Sequence, residues 1–325
     1  MKKLPLEFPL IETYQGFSFV FGIMMANPAY SDIQYNGYIQ LQSIKYEGMP
    51  YAVLLFANSL WDDFRDAGYI IKDVYDVANF NERTLTQFLC ERLDQGQYLV
   101  LYDVDEYYLS YADAYQKKHE NHDTYIYGYD DEYFYIQVYE EQNLAQTTIK
   151  KSEAVKALLS KRARKNADGV RHFGAIRLNP CNGVKADAKV ILKGIREYFE
   201  PDNEDGENQE ILFGIGVYKT LMNEIRNMKE NGANIRAFRS LWEHKKLMVQ
   251  RIAFLYSNTE DDRYQAICRI CEKTKMIFRF MVKYSIIKEE RIIDKSLKLF
   301  KEVWEEEIAW YEKFMKQEAH SVVSE

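Results

Sequence analysis

Residues Thr124–Val138 read TYIYGYDDEYFYIQV. Two runs of β-branched and aromatic residues flank Asp130-Asp131-Glu132, which is strand, acidic turn, strand: an antiparallel hairpin. Upstream, Tyr98–Val104 (YLVLYDV) is apolar enough for a strand covered on both faces. Around this centre, Tyr38–Ile44, Tyr51–Phe56, Ile70–Val77, Gln146–Ile149 and His172–Leu178 read as further strands. Gly16–Met25 (GFSFVFGIMM) reads as a buried helix broken by Asn27-Pro28. Leu60–Ala67 reads as a short helix capped by Asn58 or Ser59. Asn81–Thr84 opens a helix that runs through Leu93 and ends at Gly96. Ser152 caps a helix over 152–164, and Ala186–Phe199 is another that stops before Pro201.

Beyond the acidic, turn-rich stretch Pro201–Glu210, the apolar period changes to that of helices. Ile211, Ile215, Tyr218, Met222 and Ile225 share one face, and Gly232 ends that helix. Helices over Ile235–Tyr256, Arg263–Tyr284 and Lys288–Met315 follow, joined by short turns, as in an antiparallel bundle. The expected fold class is α+β, with an N-terminal domain over residues 1–200 carrying an antiparallel sheet and an all-α bundle over 208–318.

The chain has 325 residues, long enough for two domains. Lys and Arg number 43 against 50 Asp and Glu, for a net charge of −7, which argues against nucleic acid as a partner. The one dense basic run, Lys161–Lys165, is read as a solvated face at the end of a helix. No segment approaches the ~18 uninterrupted apolar residues of a membrane span. Glu7 and Glu12 interrupt any leader-like stretch, and four cysteines give no disulfide framework, so a cytoplasmic location is expected. Of the 26 tyrosines, most precede Glu200; sheet propensity explains them more simply than a phenol-lined pocket. Cys268 and Cys271 fall mid-helix with no second pair, so core packing is favoured over metal binding. His244 reads as part of a polar helix face, or as a contact between the bundle and the α/β domain. Trp61-Asp62-Asp63 reads as surface. No metal motif, phosphate loop or cofactor fingerprint is present.

Chemistry concentrates in His119–Asp131 (HENHDTYIYGYDD), which places an imidazole at the start of a strand, a rigid platform for a base. Asp105-Glu106-Tyr107-Tyr108, Tyr115, His119 and His122-Asp123 leading into Tyr127–Asp131 resemble the N-terminal family of butirosin biosynthesis protein H. Gly216-Val217-Tyr218, Arg236 and Leu241–Met248 (LWEHKKLM) are similar to the helical region attached to such proteins. The resemblance implies a papain-like domain, related in fold to bacteriocin-processing peptidases and associated with antibiotic assembly. It further implies a Cys nucleophile at the start of the first buried helix, a His at a strand start and an acid on the next strand. His122 matches the His. The nucleophile should fall within Gln15–Phe19 (QGFSF), which holds no Cys and only Ser18 as a hydroxyl. The acid should fall within Gln137–Tyr139 (QVY), which holds no carboxylate. Asp130 is the nearest acid considered. Tyr107, Tyr129 and Asp105 are the expected substrate-binding residues.

Three functions follow as expectations. The first is an accessory protein with a degenerate papain-like pocket that binds a peptide or a carrier-protein-tethered acyl intermediate. The second is an acyltransferase or amide-forming enzyme using His122 with Ser18. The third is a scaffold that forms homo-oligomers through its helical half.

Overall fold

The computed structural model describes residues 1–57, 68–140, 143–166, 168–180, 183–201, 211–256 and 261–322. The expected helix over 60–67 with its cap, Trp61-Asp62-Asp63, and most of the expected boundary at 201–210 lie outside the described residues. The protein is α+β, with antiparallel sheets and a C-terminal helical region. It forms two compact units, Met1–Ser31 with Trp61–Gly183, and Asp32–Leu60 with Val184–Glu325.

The first unit is built on a seven-stranded antiparallel sheet. Its order is Ile70–Asp76, His172–Leu178, Tyr98–Asp105, Asn121–Tyr129, Tyr133–Glu140 and Asn143–Lys150, with Lys2–Lys3 pairing beside Gly128 and Tyr129. The hairpin expected from Thr124–Val138 is present. Asp130 closes its turn, its side chain accepting from the backbone N–H groups of Tyr133 (2.7 Å) and Glu132 (3.0 Å). Gly128 is dictated by crowding, since a Cβ there would lie 2.5 Å from the carbonyl oxygen of Lys2.

Alternation along the strands defines two faces. Val100 pairs with Tyr125 and Gly174, whereas Leu101 pairs with Thr124 and Phe173. Tyr125 touches Phe19 of the helix Gln15–Met25 (4.9 Å between centroids), and Phe173 touches Phe88 of the helix Glu82–Asp94 (5.9 Å). The two helices therefore cover opposite faces. Both are held by fully buried side chains such as Phe19, Phe21, Leu85 and Leu89, each contributing about 1.5–3 kcal/mol. Asn81 caps the second helix through a reciprocal pair with Thr84, both hydrogen bonds at 3.0 Å.

The helix expected over 152–164 is shorter, Lys151–Leu159, and Ser152 is not its cap. The Arg171 guanidinium takes the carbonyls of Leu159 (2.6 Å) and Ser160 (2.7 Å) and ends it there. The basic run Lys161–Lys165 consequently lies beyond the helix rather than on its last turn.

Beyond residue 210 the second unit carries the helices Val217–Arg226, Ile235–Tyr256, Asp262–Ile287 and Glu290–Val322, which it combines with Ala188–Phe199 and a small sheet. That sheet pairs Ile211–Phe213 with Leu41–Ile44, and Leu41–Ile44 with Val53–Phe56. Ile211 is thus in a strand, contrary to the helical face expected of it; backbone pairing across the sheet overrides the local pattern. Lys288, at φ 53°, turns the third long helix into the fourth. Among the described residues no helix is long and apolar enough to cross a membrane.

The core of this unit is polar at its centre. Glu243, His244 and Lys245 are fully buried, which corrects the polar-face reading of His244. Lys245 Nζ donates to the Tyr198 hydroxyl (2.9 Å) and to the Glu307 carboxylate, and Tyr218 donates to the same carboxylate. His244 Nε2 donates to the carbonyl of Ile39 (2.7 Å), and its Nδ1 lies 3.2 Å from Lys245 Nζ. That arrangement fits a neutral imidazole. Burial first, then Lys245 and Arg251, hold the His244 pKa well below 6.5. Burial also lowers Lys245, with Glu307 opposing the shift.

Two outcomes follow. Glu307→Ala leaves Lys245 buried without its counter-charge and should cost about 3–5 kcal/mol in urea unfolding, whereas Lys245→Met combined with Glu307→Leu should cost far less. A single variant no worse than the double would contradict the pairing. Because folding keeps His244 deprotonated while the unfolded chain protonates near pH 6.5, this group's contribution destabilises the fold as pH falls below about 6.5. His244→Gln should flatten the unfolding free energy between pH 6.5 and 5, and an unchanged pH slope would refute the assignment.

Candidate functional site

The strand Tyr98–Asp105 carries an extra residue between Leu101 and Val104, with Asp103 at φ 47°. Its backbone N–H donates to Asp123 Oδ1 (2.9 Å), which fixes the bulge. Past the bulge Val104 pairs with His122, and Asp105 ends the strand fully buried.

Asp105 is the centre of the site. Its carboxylate accepts from Ser160 Oγ (2.7 Å), from the backbone N–H of Tyr107 (3.2 Å), and from His119 Nδ1, which lies 2.9 and 3.1 Å from the two oxygens. The His119 ring stacks on Tyr107 with centroids 4.6 Å apart and an interplanar angle of 24°. Its side chain is 44% exposed. With Nδ1–H directed at a buried carboxylate, the Nε2 lone pair is left outward, and Nε2 has no partner among the described residues. An imidazole so oriented can accept a proton or a hydrogen bond from a ligand.

Of the expected substrate-binding residues, Asp105 and Tyr107 meet around this imidazole. Tyr129 does not: it lies at the other end of its strand, where its hydroxyl donates to Asp94 (2.9 Å), an interaction that holds its pKa up at about 12. Ser160 was not anticipated, because it was expected inside a helix.

His122 occupies the strand start predicted for it. It is exposed, and its Nδ1 lies 3.2 Å from the carbonyl of Asp123. By alternation it shares a face with Thr124, away from the helix Gln15–Met25. Ser18 belongs to that helix; it is fully buried, and its hydroxyl donates to the carbonyl of Tyr14 (3.0 Å). The structure therefore does not bring Ser18 and His122 together. Asp130 is held in the hairpin turn; the backbone donors of Tyr133 and Glu132 lower its pKa, and it is a strand length from His122.

On the face that the helix covers, Asp123 and Tyr125 stand where an imidazole was expected to point. Tyr125 donates to Asp123 Oδ2 (3.1 Å), and burial raises the Asp123 pKa. The helix start and the strand expected to supply the acid do meet, through amides: Gln15 Nε2 donates to the carbonyl of Gln137 (2.7 Å). Gln137 is fully buried, and among the described residues neither its side-chain polar atoms nor Gln15 Oε1 have a partner. Such groups each cost about 1–3 kcal/mol and mark a place where a polar ligand or water would be welcome.

Removing the central acceptor should loosen the site. Asp105→Ala is expected to lower the unfolding free energy by about 3 kcal/mol, and Ser160→Ala by about 1 kcal/mol. Hydrogen exchange in Asp105→Ala should accelerate across residues 106–120. If the two variants cost the same, the carboxylate is not what anchors this loop.

No curated protein matches this chain. The family model described as butirosin biosynthesis protein H, N-terminal, matches residues 72–140, the span that holds Asp105, Tyr107, His119 and His122.

Proposed function

We propose that this chain is an accessory protein of a peptide- or antibiotic-type biosynthetic pathway, which binds a peptide or carrier-tethered acyl intermediate without forming a covalent bond to it. The match over residues 72–140 supports the pathway. One observation supports the non-covalent role: the helix expected to carry the nucleophile opens with Gln15, and its sole hydroxyl in that turn, Ser18, is spent on Tyr14 across the sheet from His122. A buried hydroxyl with no base in reach is not activated for acyl transfer.

The Asp105–His119 pair favours a second reading, an acyltransferase or amide-forming enzyme. There, His119 Nε2 takes the proton from the amine or hydroxyl of a bound acceptor, which attacks the tethered thioester carbonyl; the C–S bond breaks, and the departing carrier thiolate takes that proton back from His119. Ser18 has no part in such a step.

Intact-protein mass spectrometry after incubation with S-acyl pantetheine thioesters should show no acyl adduct, and calorimetric binding of those thioesters should persist in Ser18→Ala. An adduct mapping to Ser18 would overturn both readings. Thioester turnover that needs an added amine, and that falls about 100-fold or more in His119→Ala, would select the second reading over the first.

A further inference from the structure

The first unit holds a cleft of about 820 Å³ at the end of the sheet remote from Asp105. Tyr98, at its wall, and Asp105 are the two ends of one strand, roughly 23 Å apart at ~3.3 Å per residue. The volume falls in the range of about 300–1,000 Å³ common to small-molecule sites. Leu4, Ile23, Ala26, Ile71, Leu178 and Pro180 make it largely apolar.

Arg177 is the one charged side chain among the lining residues. It is exposed, and it makes no hydrogen bond or ion pair among the described residues. The other polar groups of the wall are largely engaged. Tyr98 donates to the carbonyl of Pro5, and Tyr30 to that of Asn179. The Asn179 amide donates to the carbonyl of Gly68 (2.7 Å), and Asn27 Oδ1 accepts from Ala29 (3.0 Å). Two helices end at the rim, and backbone donors take their last carbonyls: Ala26 and Asn27 on Gly22 and Met24, and Gly96 and Gln97 on Leu93 and Arg92. What remains is an apolar cleft with a single guanidinium that has no protein partner among the described residues and whose planar fork matches a carboxylate.

We propose that this cleft is a binding site for a small amphipathic carboxylate, with its apolar body against Ile23, Ile71 and Leu178 and its carboxylate on Arg177. The site is separate from the Asp105–His119 pair and does not depend on the pathway proposed above.

Calorimetric titration of the full chain with octanoate and with 1-octanol tests this. Octanoate should bind once per chain, at least ten-fold more tightly than octanol. Arg177→Met should bring octanoate down to the level of octanol. Ala26→Trp and Pro180→Trp fill the cleft by different routes and should abolish binding, with unchanged thermal unfolding showing that each variant is folded. Equal binding of the acid and the alcohol, retention of octanoate in folded variants of both filled types, or no octanoate binding to the unaltered chain would overturn the proposal.

Discussion

The period of two along Asn121–Ile126 decides what chemistry the first unit can perform. Adjacent residues on a strand cannot share a face, so Tyr125 packing on Phe19 commits Asp123 to the same side and sends His122 to the other. No side-chain rotation reverses that choice, and a one-residue slip of register would also swap Tyr125 and Ile126, both almost wholly buried, between two differently packed faces. The bulge at Asp103 is part of the same constraint. It absorbs one residue in the neighbouring strand, so that Val104 still meets His122 and Asp105 is delivered to the site buried and oriented.

The two units use buried charge differently. In the first, Asp105 gathers donors from three separate segments, so one carboxylate ties a loop, a strand end and a helix end together. Its third donor is an exposed imidazole, which leaves one nitrogen available. In the second, Lys245, Glu307, Tyr198, Tyr218 and His244 bond one another within the core, and His244 also donates to the buried carbonyl of Ile39. A closed network of this kind fixes which helix faces meet, and it offers nothing to a ligand.

What could be read in advance followed how local its cause was. The hairpin at Thr124–Val138 was legible because both its period and its turn residues are written within fifteen consecutive positions. The helices expected over Ile235–Tyr256 and Arg263–Tyr284 were legible for the same reason, to within three residues at their ends, whereas the last one continues past Met315 to Val322. The Asp105–His119 contact was not, since it closes across a separation of 14 residues through a loop whose path no periodicity encodes. Ser160 was hidden because the helix before it is ended by Arg171, a partner outside the local pattern. His244 and Lys245 looked solvated because charged residues on a helix usually are; the residue that makes their burial tolerable, Glu307, lies 62 positions from Lys245.

The amides at Gln15 and Gln137 sharpen the chemical reading. A thiolate and an imidazolium attract each other and leave each other reactive, so a helix start facing a strand acid and base is a place of stored charge. Here the same meeting point holds a neutral donor on a neutral carbonyl, with further amide atoms left without partners in the core. Neutral amides cannot be nucleophiles at ordinary pH, yet they hydrogen-bond peptide and amide groups with both a donor and an acceptor. On the same face burial raises the Asp123 pKa, and the Asp103 N–H and Tyr125 hydroxyl that its carboxylate accepts oppose that shift. The meeting point of that helix and strand is thus an amide contact, and the imidazole that Asp105 orients stands on a different segment, at His119.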